Sequence, residues 1–116
     1  MEITSVNIGG QTLADQRRLL IKDETTAVIE IDGSFLIYLI FHPGPNPNQP
    51  GTRLSWTPYE RGLKFDAYGW NNTLGESLTD PISLGKDSET QKEIMVMISS
   101  RRLGNFNDCN IDLYIG

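Results

Sequence analysis

The chain has 116 residues, 38% hydrophobic and 22% charged, with fifteen acidic against ten basic side chains and a formal charge of −5. This length suits one domain over 1–116, and the aliphatic content excludes a disordered chain. Cys109 is the only cysteine, so no disulfide staples the fold, and no apolar run approaches the roughly 20 residues of a membrane-spanning helix.

The first residues, Met1-Glu2-Ile3-Thr4-Ser5-Val6-Asn7, carry neither a positive n-region nor an apolar stretch. They are not expected to be a signal peptide, and with a lone cysteine this points to the cytoplasm. Ile3 to Ile8 and Arg18 to Lys22 read as strands. Between them Thr12-Leu13-Ala14-Asp15 resembles an N-capping box, which leaves a short helix over Asp15 to Ile21 as the alternative. Thr26 to Ile31 and Ser34 to Phe41 flank Asp32-Gly33, the pair favoured in two-residue hairpin turns because both positions need φ > 0. The second run is apolar on both faces, which predicts a strand covered on both sides.

Four of the six prolines fall within Pro43-Gly44-Pro45-Asn46-Pro47-Asn48-Gln49-Pro50-Gly51, an exposed loop by its loss of backbone donors. Thr52 to Thr57 reads as a strand closed by Pro58, and Gly62 to Tyr68 alternates with Leu63, Phe65 and Ala67 inward. Gly69 to Gly85 is turn-rich. Glu93 to Ser99 is a strand apolar on both faces, Leu103 to Asp108 a loop, and Asn110 to Ile115 a final alternating strand. Seven to nine short strands with little helix predict an all-β, two-layer antiparallel β-sandwich, with a small β-barrel as the alternative.

The Asn71-Asn72-Thr73-Leu74-Gly75 and Asp80-Pro81-Ile82-Ser83-Leu84-Gly85 segments, with the strand Ile94 to Ile98 and Asp112-Leu113-Tyr114, resemble a small bacterial β-rich family of uncharacterised function. The likeness covers the C-terminal half. It implies a bacterial, compact, β-rich domain and supplies no activity. Read physically, Gly75 and Gly85 permit φ > 0 at strand ends, Asn72 satisfies loop backbone groups, and Pro81 starts a strand or sits at its edge.

The residues offer little catalytic machinery, and the expectation is a protein that is not an enzyme. His42 is the single imidazole, no serine stands in a G-x-S-x-G elbow, and acidic Asp108 would raise rather than lower the thiol pKa of Cys109. A cryptic enzyme would instead place His42 in a pocket beside an acid. Asn105, Asn107, Asp108 and Asp112 offer oxygen ligands for calcium without the glycine and terminal glutamate of an EF-hand. No metal site and no cofactor are therefore expected. Asn71-Asn72-Thr73 matches a glycosylation acceptor that carries no weight without secretion. The acidic balance disfavours nucleic acid, and the Arg17-Arg18 and Arg101-Arg102 pairs read as solvated, since strand neighbours point to opposite faces.

The surface feature of note is aromatic. Trp56, Tyr59, Tyr68 and Trp70 lie close in sequence to Arg53, Arg61, Asn71 and Asn72. Aromatic and arginine side chains dominate binding hot spots. The expected binding residues are Trp56, Tyr59, Arg61, Trp70, Asn71 and Asn72, with core packing the competing reading of both tryptophans. The expected function is a non-enzymatic module binding a protein partner or its own copy, such as a small bacterial inhibitor, immunity or defence-accessory protein. The alternative is a carbohydrate- or small-ligand-binding β-sandwich.

Overall fold

The computed structural model describes residues 1–13, 17–43, 52–62, 69–73 and 76–116, and within these not the side chains of 52–53, 69–73 and 76–78. In chain order the strands are β1 (Ile3–Ile8), β2 (Gln11–Leu13), β3 (Arg18–Lys22), β4 (Thr26–Ile31), β5 (Phe35–Pro43) and β6 (Thr52–Glu60). They continue as β7 (Gly69–Thr73), β8 (Glu76–Leu78), β9 (Ile82–Lys86), β10 (Glu93–Leu103) and β11 (Phe106–Ile115). Two antiparallel sheets result, one of six strands in the order β2-β1-β4-β5-β6-β7 and one of five, β3-β11-β10-β8 with β9 also on β10. The β-sandwich read from the sequence is the observed architecture. Nine of the described strands have five residues or more, and β2 and β8 have three.

Alternation builds the core. The six-stranded sheet turns Ile29, Ile37, Leu39, Phe41 and Leu54 inward, and the five-stranded sheet answers with Ile21, Ile94, Val96, Ile98 and Ile111, all essentially inaccessible. A pleated strand presents every second side chain to one face, so these alternating apolar residues can bury together only between two sheets.

The Asp32-Gly33 turn forms, with φ of 52° and 70° at the two positions and Ser34 N–H donating to Ile31 O at 3.1 Å, but the strands pair Ile31 with Phe35, so three residues and not two lie between the paired positions. The loop expected over Leu103 to Asp108 is instead a tight hairpin. Leu103 pairs with Phe106, and Gly104 at φ 65° takes the first turn position, as a II′ turn requires. The helix alternative fails where its residues are described, because Thr12 lies in β2 and Arg18 to Ile21 in β3. Gly69 to Gly85, read as turns, contains three short strands. The strand read over Gly62 to Tyr68 lies outside the described residues from 63 onward, as do Gly75 and residues 44 to 51 of the proline loop, whose first residue, Pro43, is not loop but the last of β5, paired with Thr52.

Pro58 does not close its strand. Arg61 N–H donates to Ser34 O at 2.6 Å, and the unbroken register of β6 on β5 then gives the β5-facing N–H groups to residues 59 and 57. The nitrogen of Pro58 faces the other edge, beyond Trp56, where the described pairing with β7 ends. A proline there removes no hydrogen bond from the ladder with β5. No helix among the described residues is long and apolar enough to cross a membrane.

Candidate functional site

Covering on both sides was expected for β5. Its inner face is buried; on its outer face Leu36 is only 7% exposed and Tyr38 and Ile40 are half-buried, and among the described residues no third sheet lies above them. On β10 the outward Met95 and Met97 are likewise half-buried.

The register lines up two rows across the outer face of the six-stranded sheet. Ser5 pairs with Glu30, Glu30 with Leu36, and Leu36 with Tyr59; in the next row Asn7, Val28, Tyr38 and Thr57 follow each other. Together with Arg61, all of these residues except Thr57 line a shallow depression of about 310 Å³. Tyr38 and Tyr59, diagonal neighbours on β5 and β6, stack with ring centroids 5.3 Å apart and planes 8° from parallel. Their hydroxyls are 2.8 Å apart. The hydrogen bond to Tyr59, and then burial, hold the Tyr38 hydroxyl above the usual phenol range. At the rim Arg61 pairs with Glu30, whose other oxygen accepts from Thr4 Oγ1 at 3.0 Å.

Of the binding residues expected from sequence, the structure brings together Tyr59 and Arg61, separated by one residue on the outer face. Trp56 has the parity of Leu54 and packs part-buried against the core, so it shares no face with Tyr59. Trp70, Asn71 and Asn72 belong to β7, where their backbones pair with Ser55, Leu54 and Arg53; their side chains lie outside what the structure describes. Tyr38, Glu30, Ser5 and Asn7 were missed. Their signal was the outward half of each alternating strand, which is legible only when the strands are placed side by side.

One row beyond Tyr38 and Thr57, Ile40 pairs with Ser55, and beyond that His42 pairs with Arg53. His42 Nδ1 lies 3.1 Å from Glu24 Oε1 and Nε2 lies 3.2 Å from Ser55 Oγ, with the imidazole 16% exposed. Glu24 reaches it from the turn before β4, where its own N–H donates to Phe41 O at 2.8 Å.

The residues weighed as calcium ligands diverge. Asn107 points into the core and donates to Ile21 O and Asp23 Oδ1, while Asp108 points out and binds Arg18. Among the described residues no group of three or more His, Cys, Asp or Glu side chains is placed to hold a metal ion. The arginine pairs divide too: Arg18 and Arg101 are exposed, but Arg102, read as solvated, is 18% exposed and clamps Asp23. Cys109, read as partly buried, is wholly inaccessible, and burial first, then Asp108, pushes its thiol up to about 12.

No protein-family model, curated protein or solved structure matches this chain. The resemblance of the C-terminal half therefore rests on its short motifs alone.

Proposed function

We propose that this protein is an interaction module that binds another protein, or its own copy, through the outer face of the six-stranded sheet. The observation that carries this reading is the stacked Tyr38–Tyr59 pair beside Arg61 on a sheet face that no third layer covers among the described residues. Aromatic rings and arginine bring large contact area at low entropy cost, which is why they anchor interfaces. The charge of −5 favours a basic partner by steering its approach. A small bacterial inhibitor, immunity or defence-accessory protein would work in this way, and the free thiol of Cys109 suits a reducing cytoplasm.

The depression itself supports a second reading, a small or saccharide ligand. Ser5, Asn7, Glu30 and the two phenols offer hydroxyl-, amide- and carboxylate-type partners around a ring pair. The test is capture of a partner from native lysate by the tagged protein, with Arg61→Ala and Tyr59→Ala in parallel. A stoichiometric protein held by the wild type and lost by both variants, at an unchanged fold, supports the interaction module. Capture that both variants retain overturns the assignment of this face. Protection of tyrosine fluorescence by a neutral oligosaccharide, with no protein captured, supports the second reading.

A further inference from the structure

We infer that Ser55 is a nucleophile, activated by His42 and Glu24, and that it is a site of covalent acylation by activated carboxylic esters. The inference stands on a different part of the sheet face from the tyrosine pair and does not depend on the binding reading.

Three elements deliver the three groups. Ser55 is on β6, His42 is two residues from Ile40 on neighbouring β5, and Glu24 sits in the turn between β3 and β4. Glu24 takes a left-handed backbone at φ 63°, a conformation uncommon for a long side chain. Its N–H is fastened to Phe41 O at 2.8 Å, so the turn is held against β5 one residue from His42. Strained backbone that the surroundings hold in place is a feature of functional positions.

The tautomer follows from the partners. A glutamate carboxylate only accepts, so the Nδ1 facing Glu24 must carry the hydrogen. In the neutral ring Nε2 is then an acceptor, and it faces Ser55 Oγ at 3.2 Å, where the hydroxyl donates to it. Among the described residues the other acceptor near that hydroxyl is Ile40 O at 3.5 Å, too long to compete. Nucleophile, base and orienting carboxylate thus stand in hydrogen-bond sequence, the arrangement that activates a serine. Nothing in the residue order 24, 42, 55 announces it, because the groups meet only through strand pairing.

In the step, Ser55 Oγ attacks the ester carbonyl carbon and its proton passes to His42 Nε2. Glu24 stabilises the resulting imidazolium. The bond from the acyl carbon to the leaving oxygen breaks, the proton returns from Nε2 to the departing alcohol, and the acyl group remains on Ser55. The backbone N–H of Ser55 is committed to the ladder with Ile40, by the same parity that frees Pro58, so it is not available to a developing oxyanion. The reactivity therefore suits esters with good leaving groups, not amides.

The experiment uses the whole chain with p-nitrophenyl acetate, following p-nitrophenolate release and mapping the acetyl group by mass spectrometry of peptides. The expected result is a burst of one p-nitrophenolate per chain, with the acetyl on Ser55. Ser55→Ala abolishes the burst, and His42→Ala slows it by about 100-fold, the usual worth of a positioned base. Glu24→Gln keeps the side-chain shape but not the charge, and slows the burst by about 10-fold with an unchanged thermal midpoint; this variant decides the matter if His42→Ala does not fold. Acetyl found only on lysine or tyrosine overturns the inference. So does labelling of Ser55 at the wild-type rate in folded His42→Ala or Glu24→Gln.

Discussion

A Cβ built on Gly85 would lie 2.8 Å from Cε1 of Phe35, closer than any side-chain carbon is tolerated. Gly85 on β9 in one sheet passes directly against the first residue of β5 in the other, at a bulge where the pairing with β10 slips by one residue. Its φ of 133° lies where L side chains are strained. Gly85→Ala is therefore expected to lower stability by about 2 kcal/mol through overpacking and backbone strain together. Gly104→Ala, with open space around it, carries only the φ strain and should cost about 1 kcal/mol. Chemical denaturation of both variants checks the order; equal losses would mean the Phe35 contact contributes nothing.

Arg102 binds both oxygens of Asp23, and Asn107, wholly buried, donates to the same carboxylate at 2.9 Å. This cluster fastens the turn after β3 to the β10–β11 hairpin. Removing Arg102 would leave a carboxylate that is 12% exposed without its charge partner. Arg102→Ala is expected to cost about 2 kcal/mol, and thermal unfolding should show it more destabilised than Arg101→Ala, whose side chain is exposed.

The thiol of Cys109 is expected to resist maleimide and disulfide reagents at pH 8 in the folded protein and to react at once in denaturant. The thiolate is the reactive form, and burial suppresses it. Because the folded-state pKa is raised above the unfolded value, the protonated thiol's contribution to stability is full below about pH 8.5 and is lost as pH rises towards 12. Denaturation midpoints that fall between pH 9 and 11 in the wild type, but less steeply in Cys109→Ala, would match.

Arg18 donates to both oxygens of Asp108, at 2.9 and 2.7 Å. That hydrogen bonding holds Asp108 below the usual carboxylate range, against a smaller opposing effect of desolvation, with the charges of Arg18 and Arg101 assisting. A lowered folded-state pKa means the contribution is present above the ordinary aspartate range and lost as pH falls through the folded value. Since Arg18 is 73% exposed, solvent and salt screen the pair. Arg18→Ala should move the acid arm of the stability profile slightly and leave the neutral thermal midpoint nearly unchanged; a large neutral loss would show the pair to be structural.

The elements legible from sequence were those carried by local chemistry. Asp32-Gly33 announces its turn because few other pairs accept φ > 0 twice in succession, and Ile29, Ile31, Ile37 and Leu39 announce strands by alternating. The elements misread share a different cause. β7 is short and polar, so Asn71-Asn72 looks like a turn until β6 supplies a partner, whereas Asp80-Pro81 does stand between β8 and β9. Leu103 to Asp108 carries turn residues at only two positions, and the rest are strand because Arg102 and Asn107 pair across the hairpin.

For the candidate site, Tyr59 and Arg61 were legible as residue types that favour binding, and their spacing of two puts them on one strand face. Alternation alone also puts Trp56 on the opposite face from Tyr59, but which face met the core required the second sheet. By itself the sequence determined an acidic β-sandwich with a strong hairpin at its centre, because composition, periodicity and turn chemistry act over a few neighbouring residues. Only the tertiary structure decided that Tyr38 meets Tyr59 and that Glu24, His42 and Ser55 form a chain. Those contacts depend on strand register, and register is set by where two apolar faces close over a common core.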